Sequence, residues 1–254
     1  MLMAAALFGS WFRCQENYRD GKGRWFIRYA PQESLWKTVD YNVFLTLNGT
    51  MRDNPVMQKV WGVSNHRSFD LASAAWMAVL FLIYYVRNPR NENRAELIQF
   101  GLYIAVMLLA VTLFAELLIQ FHRCSPAATE GLKERAVLLT ELKDVVPWEV
   151  KVTSNNSFPG DYATVLLFVG LCILWRLRSW YGAAAVFGIV LFSLPRLAGG
   201  GHWASDVLAG SLPLFLAGFS LFMCEPLRQR AMSCLRKPAD WIYSHLRRFE
   251  TSRG

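Results

Sequence analysis

Residues Leu97–Phe121 form one long apolar stretch, broken by Gln99, Glu116 and Gln120. A helix needs ~20 predominantly apolar residues to cross the hydrocarbon of a bilayer, and this stretch is long enough. It is one of a series. Leu71–Val86, Tyr162–Trp175, Trp180–Leu194 and Val207–Cys224 are also apolar, and short basic segments separate several of them. Charged residues make up 18% of the chain, against ~25% in a soluble domain. The pattern predicts an all-α fold, a polytopic membrane helical bundle with five clear spans, and one membrane domain over residues 1–224. Two of the stretches are short for a crossing. Arg176 and Arg178 would snorkel to the interface and let the fourth hydrophobic helix cross. Met1–Phe12 is apolar but about half a span long. It lacks the basic start and small-residue cleavage site of a signal peptide, so it reads as a short sixth helix or anchor.

Lys and Arg near the span ends set the orientation. The connection Arg87–Glu96 holds Arg87, Arg90 and Arg94. The next basic connection holds Arg176 and Arg178. The tail 225–254 holds Arg228, Arg230, Arg236, Lys237, Arg247 and Arg248. Five alternating spans put all three on one side, which is then cytoplasmic. Connections 122–161 and 195–206 face outward. Residues 13–67 are also basic and would lie outside, against the trend, although long segments translocate largely regardless of charge.

The net charge of +8 does not point to nucleic acid. The basic residues flank apolar spans, where topology and anionic headgroups account for them. The tail mixes Leu235, Trp241, Ile242, Leu246 and Phe249 with Arg and Lys, as in an amphipathic helix on the inner leaflet. No CxxC pair or His/Cys cluster suggests a metal, and no cofactor is expected. Cys14 and Cys124 would both face an oxidising compartment, but nothing in the sequence brings them together.

The chemistry lies in the outward connections. Pro195-Arg196-Leu197-Ala198-Gly199-Gly200-Gly201-His202-Trp203-Ala204-Ser205-Asp206 straddles the start of a span. His202 and Asp206 are four residues apart, so a helix would put them on one face. The carboxylate would take the proton of one ring nitrogen and leave the other to attack phosphorus. Arg196 offers a planar fork for phosphate oxygens, and the glycines permit close backbone approach. A glycine hinge before a capped helix would explain the same residues without chemistry. A second motif, Ser157-Phe158-Pro159-Gly160-Asp161-Tyr162, opens another span, where free amides favour an anion. The third is His122-Arg123-Cys124-Ser125-Pro126, with Glu116 upstream. The 127–156 connection would shape the substrate side, with Gly131–Val145 as an amphipathic outer segment.

Together the motifs resemble the type 2 phosphatidic acid phosphatase superfamily, whose signature ends in Ser-Arg-x5-His-x3-Asp. Here that motif is Arg196, His202 and Asp206, with Pro195 in place of the serine. With Asn65-His66-Arg67-Ser68-Phe69-Asp70, the resemblance is strongest to the bacterial lipid A phosphotransferases that draw on undecaprenyl diphosphate. It spans roughly residues 30–225. It implies that His202 is the nucleophile, that Asp206 orients it, and that Arg123 and Arg196 clamp phosphate, with His122, Gly160 and Asp161 nearby. Two departures stand out. His122 stands beside Arg123 where the family's first motif has a lysine upstream, and Tyr162 replaces the second-motif histidine that handles the leaving-group proton. The implied activity is a phosphohistidine-dependent phosphotransferase of the bacterial inner membrane, facing the periplasm. Its substrates would be a polyprenyl diphosphate and a lipid phosphate. A polyprenyl diphosphate phosphatase, or an inactive lipid-binding scaffold, remain open alternatives because of Tyr162.

Overall fold

Each of the apolar stretches folds as a helix, and the segments between them hold more structure than their composition suggests. The computed structural model describes residues 2–87, 91–177 and 179–251, without the side chains of residues 91–93, 161, 162, 179 and 249–251. The helices are α1 (Leu2–Phe12), α2 (Leu35–Gly49), α3 (Pro55–Ser64), α4 (Ser68–Arg87), α5 (Asn91–Leu118), α6 (Glu130–Lys133), α7 (Asp161–Leu177), α8 (Ser179–Ala198), α9 (Leu212–Phe222) and α10 (Glu225–Thr251). A wide π-type turn, Asp206–Ser211, leads into α9. The strands are β1 (Gln15–Arg19), β2 (Trp25–Tyr29) and β3 (His122–Arg123). They form one sheet in that order, β1–β2 antiparallel and β2–β3 parallel. The fold is thus helical with one small sheet, where an all-α bundle was expected.

Among the described residues, three helices are long and apolar enough to cross a membrane: Ser68–Arg87, Arg94–Leu118 and Trp180–Ala198. Ala163–Leu177 is apolar but shorter. Asp206–Phe222 qualifies only together with Glu225–Arg248, from which it is bent by 74°. Length and composition therefore give three crossings, or four with the bent pair, rather than five.

The long helices pack through aromatic layers. Leu80, Ile173, Tyr181 and Phe192 join α4, α7 and α8, while Phe100, Tyr103, Phe168 and Phe222 join α5, α7 and α9. The Tyr103 hydroxyl donates to the Phe222 carbonyl at 3.0 Å, which satisfies a polar group that apolar surroundings would penalise. The amphipathic α10 lays Ala231, Met232 and Leu235 on the second of these clusters, and Gln99 Nε2 donates to the Met232 carbonyl.

Residues 13–67 fold into a cap. Asp20 closes the β1–β2 turn by accepting from the Lys22 and Arg24 amides. Ser34 caps α2 and Asn54 caps α3, with Pro55 in the first turn, an arrangement that satisfies amides with no helical partner. The expected amphipathic segment Gly131–Val145 holds one helical turn, α6, followed by turns. Its apolar residues are used differently: Leu139, with Val146 and Val152 beyond the segment, is buried against Met51, Trp61 and Ala198.

Candidate active site

Helices that alternate in direction bring the N-termini of α4 and α7, the C-termini of α5 and α8 and the entry to α9 to one end of the bundle. All three motifs meet there. After α8 the chain must fold back sharply. Gly200 adopts φ +82, and a Cβ on it would stand 2.9 Å from Ala127 and Phe44 side-chain atoms, so glycine alone fits. The Gly201 and His202 amides then both donate to the Arg196 carbonyl, at 2.8 and 3.2 Å.

This turn sets the His202 ring against the second motif. Its Nδ1 lies 2.8 Å from the Ser157 carbonyl oxygen. A carbonyl can only accept, so Nδ1 carries the hydrogen, and in the neutral ring Nε2 keeps its lone pair. Asp206 faces the ring from further away, with Oδ2 3.7 Å from Nδ1. The two do not share a helix face as expected, because His202 lies in the turn before the helix. Asp206 is fixed by other partners: the Trp203 amide donates to Oδ2 at 2.8 Å, and Arg123 Nη1 donates to Oδ1 at 2.5 Å.

Arg123 is enclosed. Its second arm pairs with Asp40 at 2.9 Å. Its guanidinium carbon sits 5.1 to 5.2 Å from the ring centres of Trp11, Tyr29 and Trp203. Asp40 also accepts from the Ser205 amide at 2.7 Å and from the Tyr29 hydroxyl at 2.6 Å. Burial lowers the tendency of Arg123 to hold its charge, but the Asp206 and Asp40 carboxylates outweigh it and raise its pKa. Burial, then the charge of Asp40, push the Tyr29 phenol up, so it remains a donor.

Arg196 donates to the Lys151 carbonyl at 2.8 Å and pairs with Asp70. The Asn65 amide group holds the Pro195 carbonyl at 2.8 Å, so the Asn65–Asp70 motif braces the third motif from α3 and α4. Gly160 ties the second motif to the third: its amide donates to the Asp206 carbonyl at 3.2 Å, and its carbonyl accepts from Ser211 Oγ at 2.7 Å. His122 is not brought to His202. Strand alternation turns it away from Arg123, and its ring packs 5.2 Å from Phe26. The side chains of Asp161 and Tyr162 lie outside the described residues. Cys14 and Cys124 are free thiols.

Beside this cluster a cavity of about 1790 Å³ runs between α4, α5 and α7. Its walls are largely apolar, with Phe81, Leu82, Ile104 and Val169, and the end near the catalytic turn carries Asp70, Glu116, Lys151 and Asn156. Drug-sized pockets are ~300–1,000 Å³, so this space suits something larger and mostly hydrocarbon. The sequence motifs missed Asp40, Tyr29 and Lys151, and gave Ser205, inside the third motif, no role. Asp40 and Ser205 meet across 165 positions, a pairing with no local signature.

Lipid A 1-diphosphate synthase of Escherichia coli (strain K12) is 24% identical to this chain over 214 residues, which cover 84% of this chain and 86% of that protein. The chain resembles that enzyme. The likeness runs through most of its length, as the motifs implied. No family profile and no solved structure matches the chain.

Proposed function

We propose that this chain is a bacterial inner-membrane phosphotransferase that moves a phosphoryl group from undecaprenyl diphosphate to a lipid A-type phosphate. The observation that carries this reading is the His202 ring, whose Nδ1 faces the Ser157 carbonyl, the tautomer in which Nε2 holds the lone pair that attacks phosphorus, near a lipid-sized cavity. The likeness to lipid A 1-diphosphate synthase supports the choice of acceptor. Nε2 attacks the terminal phosphorus of the diphosphate. The P–N bond forms, the anhydride P–O bond breaks, and polyprenyl monophosphate departs with the electron pair. An oxygen of the lipid phosphate then attacks the phosphohistidine, giving a lipid diphosphate and restoring His202. Arg196 stabilises the charge that develops on the transferred group.

Tyr162 fits this chemistry better than hydrolysis of a monoester. A tyrosine has an unperturbed pKa of about 10 and is a poor base near neutrality. A departing phosphate has a second pKa of about 6 and needs little protonation, whereas an alkoxide needs much. The acceptor phosphate is already an anion, while water would require a base. In this reading the five apolar helices all cross the membrane, the shorter ones with snorkelling ends, and the site faces the periplasm.

The test uses purified protein and polyprenyl diphosphate labelled in its terminal phosphate. Label should appear on His202 after rapid quench and pass to a lipid phosphate acceptor. His202→Ala should insert normally but take up no label. Wild-type turnover in that variant would remove His202 as the nucleophile. Release of inorganic phosphate at a rate indifferent to acceptor would make the protein a phosphatase.

A further inference from the structure

We propose that Lys151 is the phosphate-binding cation of a lipid-headgroup subsite at the polar end of the cavity. This rests on the reading that lipid phosphates occupy that cavity. Three cations lie around the catalytic turn, and they differ in what they can reach. Arg123 has a side chain only 3% exposed and is shared by two carboxylates. Arg196 is 6% exposed and holds Asp70 and the Lys151 carbonyl. The Lys151 side chain is 59% exposed, with Nζ 3.8 Å from an Asp70 oxygen, too far for a hydrogen bond.

The root of Lys151 is fixed although it lies outside any helix or strand. Its amide donates to the Asn65 carbonyl at 3.0 Å, and its carbonyl accepts from Arg196 at 2.8 Å. The next residue, Val152, is buried in the cap core. A Cβ placed on Gly201, the neighbour of His202, would stand 3.5 Å from the Lys151 carbonyl oxygen. The lysine is therefore anchored to the catalytic turn at its backbone and left loose at its tip.

The cavity decides what that tip meets. Lys151 shares the cavity's polar end with Asp70, Glu116 and Asn156, and the rest is mostly hydrocarbon. Arg196 already pairs with Asp70, so Lys151 is the cation of this end that remains able to move toward an anion, with Glu116 as the end's other carboxylate. An amphiphile with an anionic head and an apolar tail matches both ends, and a phosphate dianion would draw Nζ from its loose contact with Asp70. The ammonium acts as a mobile point charge, a role suited to lysine rather than to an enclosed guanidinium.

Equilibrium binding in detergent tests this without turnover. The probes are a polyprenyl monophosphate and the matching polyprenol, with inorganic phosphate as competitor. Lys151→Ala and Lys151→Gln should weaken binding of the phosphorylated lipid about tenfold or more, the loss of one charge-assisted hydrogen bond. Both should leave polyprenol binding unchanged, and Lys151→Arg should retain most of the affinity. Equal binding by wild type and Lys151→Gln overturns the proposal. So does a matched loss for phosphate and alcohol, or a wild type that does not prefer the phosphorylated lipid. Inorganic phosphate competing as strongly as the lipid would assign the site to the free anion instead. Lys151-dependent binding without any phosphohistidine would leave this subsite standing and remove the transfer reaction.

Discussion

The guanidinium of Arg123 lies between two carboxylates and three aromatic rings, so removing it exposes a double fault. Arg123→Ala would leave Asp40 and Asp206 facing each other in the interior. Breaking such a buried pair costs ~3–5 kcal/mol, and thermal unfolding in detergent should show a marked drop. Arg123→Lys keeps the charge but loses the fork, and should fall between. If Arg123 only gripped substrate, Arg123→Ala would keep the wild-type unfolding temperature. A second residue-scale prediction concerns Tyr162. Tyr162→His supplies an imidazole near its working pKa, so hydrolysis of polyprenyl diphosphate should rise while transfer changes less. Equal gains in both rates would sink the leaving-group argument. His202, Arg196 and Asp206 were legible because they lie in one short run. Asp40, Tyr29 and Lys151 were not, because an isolated acid, phenol or lysine reads as surface until the fold supplies its partner.

At the scale of elements, apolar length was legible and capped polar helices were overlooked. Every apolar stretch became a helix. Yet α2 and α3 were also marked, by Ser34 before α2 and by Asn54-Pro55 before α3, start signals that need no hydrophobic run. The Asp20-Gly21-Lys22-Gly23 segment between two strands was a hairpin signal of the same kind. Crossing counts were less legible, because α7 and α9 are each too short alone and their burial depends on neighbours. The tightest approach joins α7 to α8. A Cβ on Gly182 would fall 2.3 Å from a Leu174 methyl and 3.1 Å from the Leu174 Cα. The methyl could rotate away, but the backbone atom could not, and small residues are what let membrane helices approach so closely. Gly182→Val should cost ~1–3 kcal/mol by overpacking, visible as a lower unfolding temperature. Gly9→Ala, inside α1 where nothing lies within 4 Å, should not lower it and should raise it slightly, because alanine is the better helix former.

For the whole molecule, charge near the span ends governs which face of the membrane holds the site. The basic residues of 13–67 argued against an outward cap when counted in sequence. In the fold, three of the nine are locally balanced: Arg24 pairs with Asp20, Arg28 with Glu16 and Lys37 with Glu33. Arg19 lies over the Trp25 ring, 4.3 Å from its centre. A long folded cap translocates largely regardless of its charge, and orientation follows the short basic segments near span ends. The basic last turns of α4 and α7, with Arg87 and Arg176, lie with the α10 tail at the end of the bundle opposite His202. Single-cysteine variants can decide the matter. Ser157 is wholly buried and would report poorly despite its place in the motif. Thr153 is exposed beside the catalytic turn, and Cys234 is an exposed native thiol on α10. In cells with a permeabilised outer membrane, an impermeant maleimide should label Thr153→Cys at once, in a background without other cysteines. Cys234 alone should react only after the inner membrane is lysed. Rapid labelling of Cys234 with protection of Thr153→Cys would put the chemistry in the cytoplasm. Labelling of both from outside would mean that an odd number of crossings does not separate the site from the tail, and the five-span arrangement would fall.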